Sequence, residues 1–349
     1  MKRVYLDYNA SAPLREEARE AMVHAMALAG NPSSVHAEGR QARAIVEIAR
    51  QQVAAALGAQ GADVIFTSGA TEAAGLALNG RGIRCADIEH EAVSSWCQRD
   101  LSCGLDGGVA CEAPESTALQ LANSETGILQ QLPEGLALCD MTQAFGKLPV
   151  AFHWTGATMA LVSAHKIGGP KGVGALIVKR GTEVAAQIKG GGQEMGRRSG
   201  TENVIGIAGF GAAAEAAQRD LADGVWEQVE KLRNILEKAV AQSSSETIFV
   251  GKGGQRLPNT SYMISAGWRG ETQVMQMDLA GFSVSAGSAC SSGKVKRSRV
   301  LQAMGFSAEQ AACALRVSLG PKNKQEDIER FVEVWGAHQH RLQGRRRSA

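Results

Sequence analysis

The stretch LVSAHKIGGPKGVG at residues 161–174 constrains this chain more than any other. An apolar run delivers Ser163, Ala164, His165 and Lys166 to a glycine-rich turn, and a second apolar run, residues 175–178, leaves it. That pattern predicts strand, exposed turn, strand. Lys166 then sits where the backbone has just emerged from a core, beside glycines that let a bulky group approach. A lysine in such a place is partly desolvated, which lowers its pKa and frees the amine to form a Schiff base. One lysine among many is more often an ordinary surface residue, so the reading depends on what the rest of the chain supplies.

A length of 349 residues predicts about two domains. Hydrophobic residues at 44% and charged residues at 21% describe a globular protein with a large core. The formal charge of +2 gives no reason to expect nucleic acid, and the basic ending GRRRSA reads as a solvated tail. The first twelve residues do not resemble a signal peptide, and no window approaches eighteen consecutive apolar residues, so no membrane is expected and the location is read as cytoplasmic. Seven cysteines without a CxxC pair argue for reduced thiols and against a disulfide framework or a metal site.

In chain order, helices are expected over residues 14–29 and 37–57, the second closed by Gly58. Residues 63–66 read as a buried strand that turns through TSGATE into a helix. Such a turn leaves backbone N–H groups converging on one spot, an anion site, here without a Walker loop. A brief strand ends at His90, and the apolar run LALCD reaches Asp140, with Gln143 shortly after. The polar loop GGGQEMGRRSGTEN, residues 190–203, suits contact with phosphate or a second subunit. One long helix or a broken pair is expected over residues 204–241; GFGAAA at its start matches a dinucleotide fingerprint but follows a polar loop, and is rejected as one. Strands alternating with helices predict a mainly parallel sheet covered on both faces.

Two residues near the C-terminus carry chemistry. Arg316, inside the apolar strand ALRVSL, requires an anion, either a buried ion-pair partner or a carboxylate ligand. Cys290 lies among Ser, Ala and Gly with Lys294, Lys296 and Arg297 downstream, a setting that exposes a thiol and favours its thiolate. Cys85, Cys139 and Cys313 sit in apolar runs and read as quiet core residues.

LDYNASAP, GNPSSVH, FTSGATE, EH, SETG, DMTQAFGK, SAHKIGGPKGVGAL, GGGQEMGRRSGTEN, SAGSACSSG and LRVSLG occur in this order between residues 6 and 320. Together they resemble the motifs of the pyridoxal-phosphate-dependent cysteine desulfurases that supply sulfur for iron-sulfur clusters, in the class V aminotransferase superfamily of fold type I. SAGSACSS with a long loop after it is similar to the group with a flexible cysteine arm. The resemblance implies an α/β fold: a large cofactor domain, residues 14–243, with a mainly parallel seven-stranded sheet flanked by helices. A smaller α+β domain, residues 1–13 and 244–349, would carry the cysteine loop.

The resemblance also implies roles. Lys166 would hold pyridoxal 5'-phosphate and move the Cα proton, Asp140 would pair with the pyridine nitrogen, Gln143 with the ring oxygen, and His90 would stack on the ring. Ala70, Thr71, Ser163 and His165 would bind the phosphate, and Thr201 would reach the partner's phosphate in a homodimer. Arg316, with Asn123 and Ser124, would anchor the carboxylate of L-cysteine, and Cys290 would take its sulfur as a persulfide for an acceptor or iron-sulfur scaffold protein. Selenocysteine lyase activity, transamination, or a weakly active homologue that binds the cluster machinery are the alternatives. Departures bear on these roles. Ser124 replaces the second Asn of an NNETG-type turn, Ala73, Ala74 and Gly75 replace more polar residues, and the segments between His90 and Asn123 and between Gly127 and Asp140 are short, as if a peripheral helix were missing.

Overall fold

The computed structural model describes residues 3–287 and 297–347. A short strand, β1 (Val4–Tyr5), precedes two helices, α1 (Glu16–Met26) and α2 (Ala37–Ala56). β2 (Asp63–Thr67) runs into α3 (Ala70–Leu78); β3 (Arg84–Ala86), α4 (Glu91–Ser94) and β4 (Gln98–Leu101) follow. Then come β5 (Ala118–Gln120), β6 (Leu138–Asp140), β7 (Met159–Ser163) and β8 (Gly174–Val178). The expected long helix is a broken pair, α5 (Val204–Ala222) and α6 (Val225–Ser243), and the dinucleotide-like residues 209–214 are helix interior. The C-terminal part contains β9 (Ile248–Phe249), β10 (Thr260–Ile264), α7 (Gly270–Leu279), β11 (Phe282–Ser283), α8 (Arg299–Ala303), α9 (Ala308–Ala312), β12 (Ala314–Ser318) and α10 (Gln325–Arg347).

The main sheet has the order β2-β8-β7-β6-β5. β8 is antiparallel to both neighbours while β5, β6 and β7 pair in parallel. A single parallel bridge, Arg84 to Thr117, attaches the parallel pair β3–β4, so seven strands form the layer. β7 and β8 are buried at every position because helices cover both faces, which is why their sequences are apolar without alternation. On one face α1, α2 and α5 set Ala18, Val46, Val53 and Phe210 against Phe66 and Val162. On the other, α3 sets Ala73, Leu76 and Leu78 against Ile65, Leu161 and Leu176. Burying each of these large apolar side chains contributes about 1.5–3 kcal/mol. Ala73, Ala74 and Gly75, where polar residues were expected, are buried in that contact. No α-helix occurs in residues 95–203, and β4 stays largely exposed, consistent with the shortened segments.

A second layer, β12-β10-β9, is antiparallel. Its core joins Met263, Leu315 and Val317 to Trp335 and Phe331 of α10 and to Trp226, Leu236 and Val240 of α6. The chain start belongs here too, because β1 pairs with β11 through Val4 and Phe282. Ser307 and Gln310, an S-x-x-Q pattern in the sequence, form a capping box at the start of α9. Among the described residues no helix is long and apolar enough to cross a membrane.

Candidate active site

Parallel strands deliver their carboxyl ends to one edge of a sheet, and ligands of such folds bind in the crevice outside that edge. Here β5 ends on Gln120, β6 on Asp140 and β7 on Ser163, and all three line a cavity of about 400 Å³ with the turn at residues 68–71. His90, Lys166 and the N-terminal residues Ala10 and Ser11 complete its wall.

One end of the cavity is built for an anion. The first turn of α3 opens there with Gly69, Ala70 and Thr71, whose amides precede the helical ladder. Gly174 of β8 makes this turn possible: a Cβ on it would stand 2.6 Å from the Val162 carbonyl oxygen and 2.7 Å from the Gly69 Cα. Glu72 in the same turn would repel an anion, but its carboxylate is occupied by Arg198 Nε at 2.8 Å and by the Ser68 N–H at 2.8 Å. Ser163, His165 and Lys171 line the same cavity. Burial, with Lys166 and Lys171 beside it, pushes His165 down to about 4, so its imidazole is neutral at pH 7 and acts as a hydrogen-bonding group. Its Nδ1 lies 3.3 Å from Ser11 Oγ.

The loop at residues 190–203 braces this turn from outside. Glu194 and Met195 adopt left-handed backbone, with φ of 47° and 58°. The buried Glu194 carboxylate accepts from Arg50 Nη1 at 2.7 Å, Arg50 Nη2 at 3.0 Å and the Phe66 N–H at 3.0 Å. Arg197 pairs with Asp63 and Arg198 with Glu72, so three ion pairs tie the loop to α2, β2 and α3.

At the other end, Asp140 Oδ1 accepts from the Thr142 N–H at 2.8 Å, which fixes the carboxylate against the strand end. His90 caps α4, its Nδ1 accepting from the Ala92 N–H at 3.1 Å; the proton of a neutral ring then sits on Nε2. Lys166 Nζ donates to the carbonyl oxygens of Asn9 at 2.6 Å and Ala10 at 2.9 Å. Gln143 Nε2 donates to the same Asn9 oxygen at 2.9 Å, and Lys147 Nζ donates to Gln143 Oε1 at 2.7 Å. Asn9, Lys147 and Lys171 were not among the residues singled out from sequence. Asn9 lies inside LDYNASAP and Lys147 closes DMTQAFGK, so the signal was motif membership rather than spacing.

Three of the expected anchors stand elsewhere. Asn123 is 1% exposed and its amide is committed to its own turn, taking N–H groups of Glu125 and Thr126 and donating to the Ile88 carbonyl. It is therefore not part of the cavity wall, whereas Ser124 is. Arg316, for which two partners were open, forms the buried ion pair: Nη2 meets Asp7 at 2.9 Å, Nη1 donates to the Ser124 carbonyl at 2.9 Å, and Nε is buried without an acceptor. Thr201 is exposed and lies off the cavity. Cys290 lies outside the described residues. Cys85, Cys139 and Cys313 are buried, as expected.

The aminotransferase class-V family matches residues 4–99 and 112–331 of this chain. The chain belongs to that family. The break in the match, residues 100–111, starts in the second half of β4 and lies in the shortened region. A cysteine desulfurase of Frankia sp. is 39% identical, the alignment covering 95% of this chain and 90% of the relative. Cysteine desulfurase IscS of Dictyoglomus turgidum is 35% identical over 96% of this chain and 94% of its own. Among solved structures, the NifS-like protein of Rickettsia africae superposes with a TM-score of 0.87 at 31% identity, covering 95% of this chain and 98% of that one. The class-V aminotransferase fold thus places a lysine, a strand-end carboxylate and a helix N-terminus around one cavity in this protein.

Proposed function

We propose that this protein is a pyridoxal-phosphate-dependent cysteine desulfurase, converting L-cysteine to L-alanine and passing the sulfur to Cys290. The observation that carries the reading is the shared cavity, whose wall brings together Lys166, the first residues of α3 and Asp140. That donor set fits the cofactor: an anion site whose one acidic neighbour is paired, a carboxylate for a ring nitrogen, and an amine on the same wall. Thr142 Oγ1, buried in the wall without a partner among the described residues, is a further sign of a polar ligand. The names of the relatives, cysteine desulfurases aligned over nearly the full chain, support the substrate.

Bound pyridoxal phosphate supplies an electron sink for chemistry at the amino-acid Cα. The amides of Ala70 and Thr71, the hydroxyls of Thr71 and Ser163, and His165 hold the phosphate. Asp140 keeps the pyridine nitrogen protonated, Gln143 donates to the ring oxygen, and His90 covers the ring face. Lys166 would be the attachment point and would move the Cα proton. Ser124 receives the substrate carboxylate, and Arg316, on exchanging its partner Asp7 for the substrate, joins it as the charged donor. The thiolate of Cys290 attacks the substrate sulfur, the carbon–sulfur bond breaks, and the products are alanine and an enzyme persulfide whose outer sulfur goes to an acceptor protein. A homodimer in which Thr201 reaches the partner's phosphate, and a cytoplasmic location, complete the reading.

Incubating the purified protein with pyridoxal phosphate and L-cysteine tests it: equimolar alanine and sulfide in the presence of a thiol reductant are expected. Bound cofactor with no alanine would instead favour a binding partner of the cluster machinery, a reading that the loss of Asn123 from the cavity wall makes specific.

A further inference from the structure

Lys147 is 2% exposed and sits behind the cavity wall, four residues after Gln143. Its Nζ donates to Gln143 Oε1 at 2.7 Å and to Asn9 Oδ1 at 3.2 Å, two neutral oxygens. No carboxylate contacts it among the described residues, and its charged neighbours Lys166 and Arg316 repel it. Burial together with those two cations pushes its amine well below the ordinary lysine range. Placing a lysine there is costly, since burying an uncompensated ammonium costs several kcal/mol and a methionine would fill the space without that penalty. Such violations of packing economy mark functional positions.

The geometry shows what the lysine does. The Asn9 carbonyl can only accept, so the Gln143 nitrogen faces it and the Gln143 oxygen faces Lys147. Asn9 is itself immobilised: its Oδ1 also accepts from Asn259 Nδ2 at 3.0 Å, its Nδ2 donates to Thr260 Oγ1 at 2.9 Å, and its N–H donates to Ser318 Oγ at 3.0 Å. The Gln143 carboxamide is thus pinned at both ends on rigid partners. One of its N–H bonds is spent on Asn9, and the second is left for the cavity that Gln143 lines.

We propose that Lys147 is a positioning residue for the cofactor, acting through Gln143 to hold one N–H on the ring oxygen. This rests on the cofactor reading above. Without Lys147 the amide can swivel, and one hydrogen bond of ordinary strength corresponds to about tenfold in affinity. Its action through one side chain predicts strong non-additivity.

The test titrates cofactor-free protein with pyridoxal phosphate and records the dissociation constant, the wavelength of the visible band and the pH midpoint of that band. Lys147→Met is expected to weaken binding about tenfold and shift the band, while adding less than twofold in a Gln143→Ala background. Lys147→Gln, a donor one atom shorter, is expected to recover part of the loss and carries the test if the methionine variant does not fold. An unchanged band and affinity in the Lys147 variants, or the same fold-loss with and without Gln143, would overturn the positioning role. Wild-type protein that forms no visible band with pyridoxal phosphate would instead overturn the cofactor reading, and this inference with it.

Discussion

Asp140 and Ser124 are the side chains on which the chemistry can be tested most directly. Asp140→Asn keeps the shape and the hydrogen bond from the Thr142 N–H but cannot hold a pyridine nitrogen protonated. Cofactor binding is expected to persist while alanine formation falls by at least about a hundredfold, or some 2.7 kcal/mol in the barrier. A normal turnover rate would reduce Asp140 to a cap. Ser124 is placed by its carbonyl, which accepts from Arg316 and from Asn9 Nδ2, so its side chain is presented to the cavity on a fixed backbone. An asparagine there adds an amide one bond longer, and a hydrogen bond to a charged carboxylate contributes about 1.5–3 kcal/mol. Ser124→Asn is therefore expected to tighten L-cysteine binding by about ten- to a hundredfold in a spectroscopic titration, and equal affinity would show that the carboxylate has another anchor. Lys166, Asp140 and Gln143 were legible because each follows an apolar run, where a strand end can be read from periodicity. Asn9 and Lys147 were not, since their partners lie far along the chain or behind the wall, and local spacing carries no trace of either. Arg316 was legible as a buried cation, but its partner Asp7 was not.

The elements were easier to read than their edges. Apolar runs without alternation gave the buried strands, alanine-rich periodicity gave α2 and α5, and Ser307 with Gln310 marked the start of α9. The contacts between elements had to be seen. β8 touches the turn before α3 only because residue 174 lacks a side chain. Gly174→Ala is expected to push that turn off the sheet edge and weaken pyridoxal phosphate binding more than tenfold, measured by equilibrium dialysis, with a lowered Tm. Unaltered affinity would mean that the α3 amides are not the phosphate site. The loop at residues 190–203 gives a second test. The Glu194 carboxylate serves both Arg50, which also meets Glu47 and the Val64 carbonyl, and the Phe66 N–H, and removing one partner of a buried pair costs about 3–5 kcal/mol. Glu194→Ala is expected to lose stability of this order in urea unfolding, with Arg50→Met in the same background adding little; full additivity would show that the pair is not coupled.

Across the whole molecule, the site imposes a pH dependence. His165 has a folded-state pKa of about 4 against an ordinary 6.5, so the unfolded chain binds more protons between these values. Stability contributed by the neutral ring is present above pH 6.5 and is lost as pH falls toward 4. Cofactor-free protein is expected to lose roughly 2 kcal/mol from this group between pH 7 and 4.5, and His165→Asn should flatten that slope in urea midpoints. An equal slope in the variant would assign the acid sensitivity to other groups.

Asn9 ties the first residues of the chain to Thr260 and Ser318, contacts separated by 251 and 309 positions. During synthesis the large sheet and its helices can collapse while the ribosome is still adding residues, since domains tend to fold as their sequence emerges. The wall that carries Asn9, by contrast, is held on one side by Gln143, Lys147 and Lys166, and its other supports, Asn259, Thr260 and Ser318, are missing until β10 and β12 have left the exit tunnel. The Asn9 wall of the binding cleft therefore gains its last supports only as translation finishes. Order of synthesis thus makes the bracing of the Asn9 wall one of the last steps in this protein's assembly.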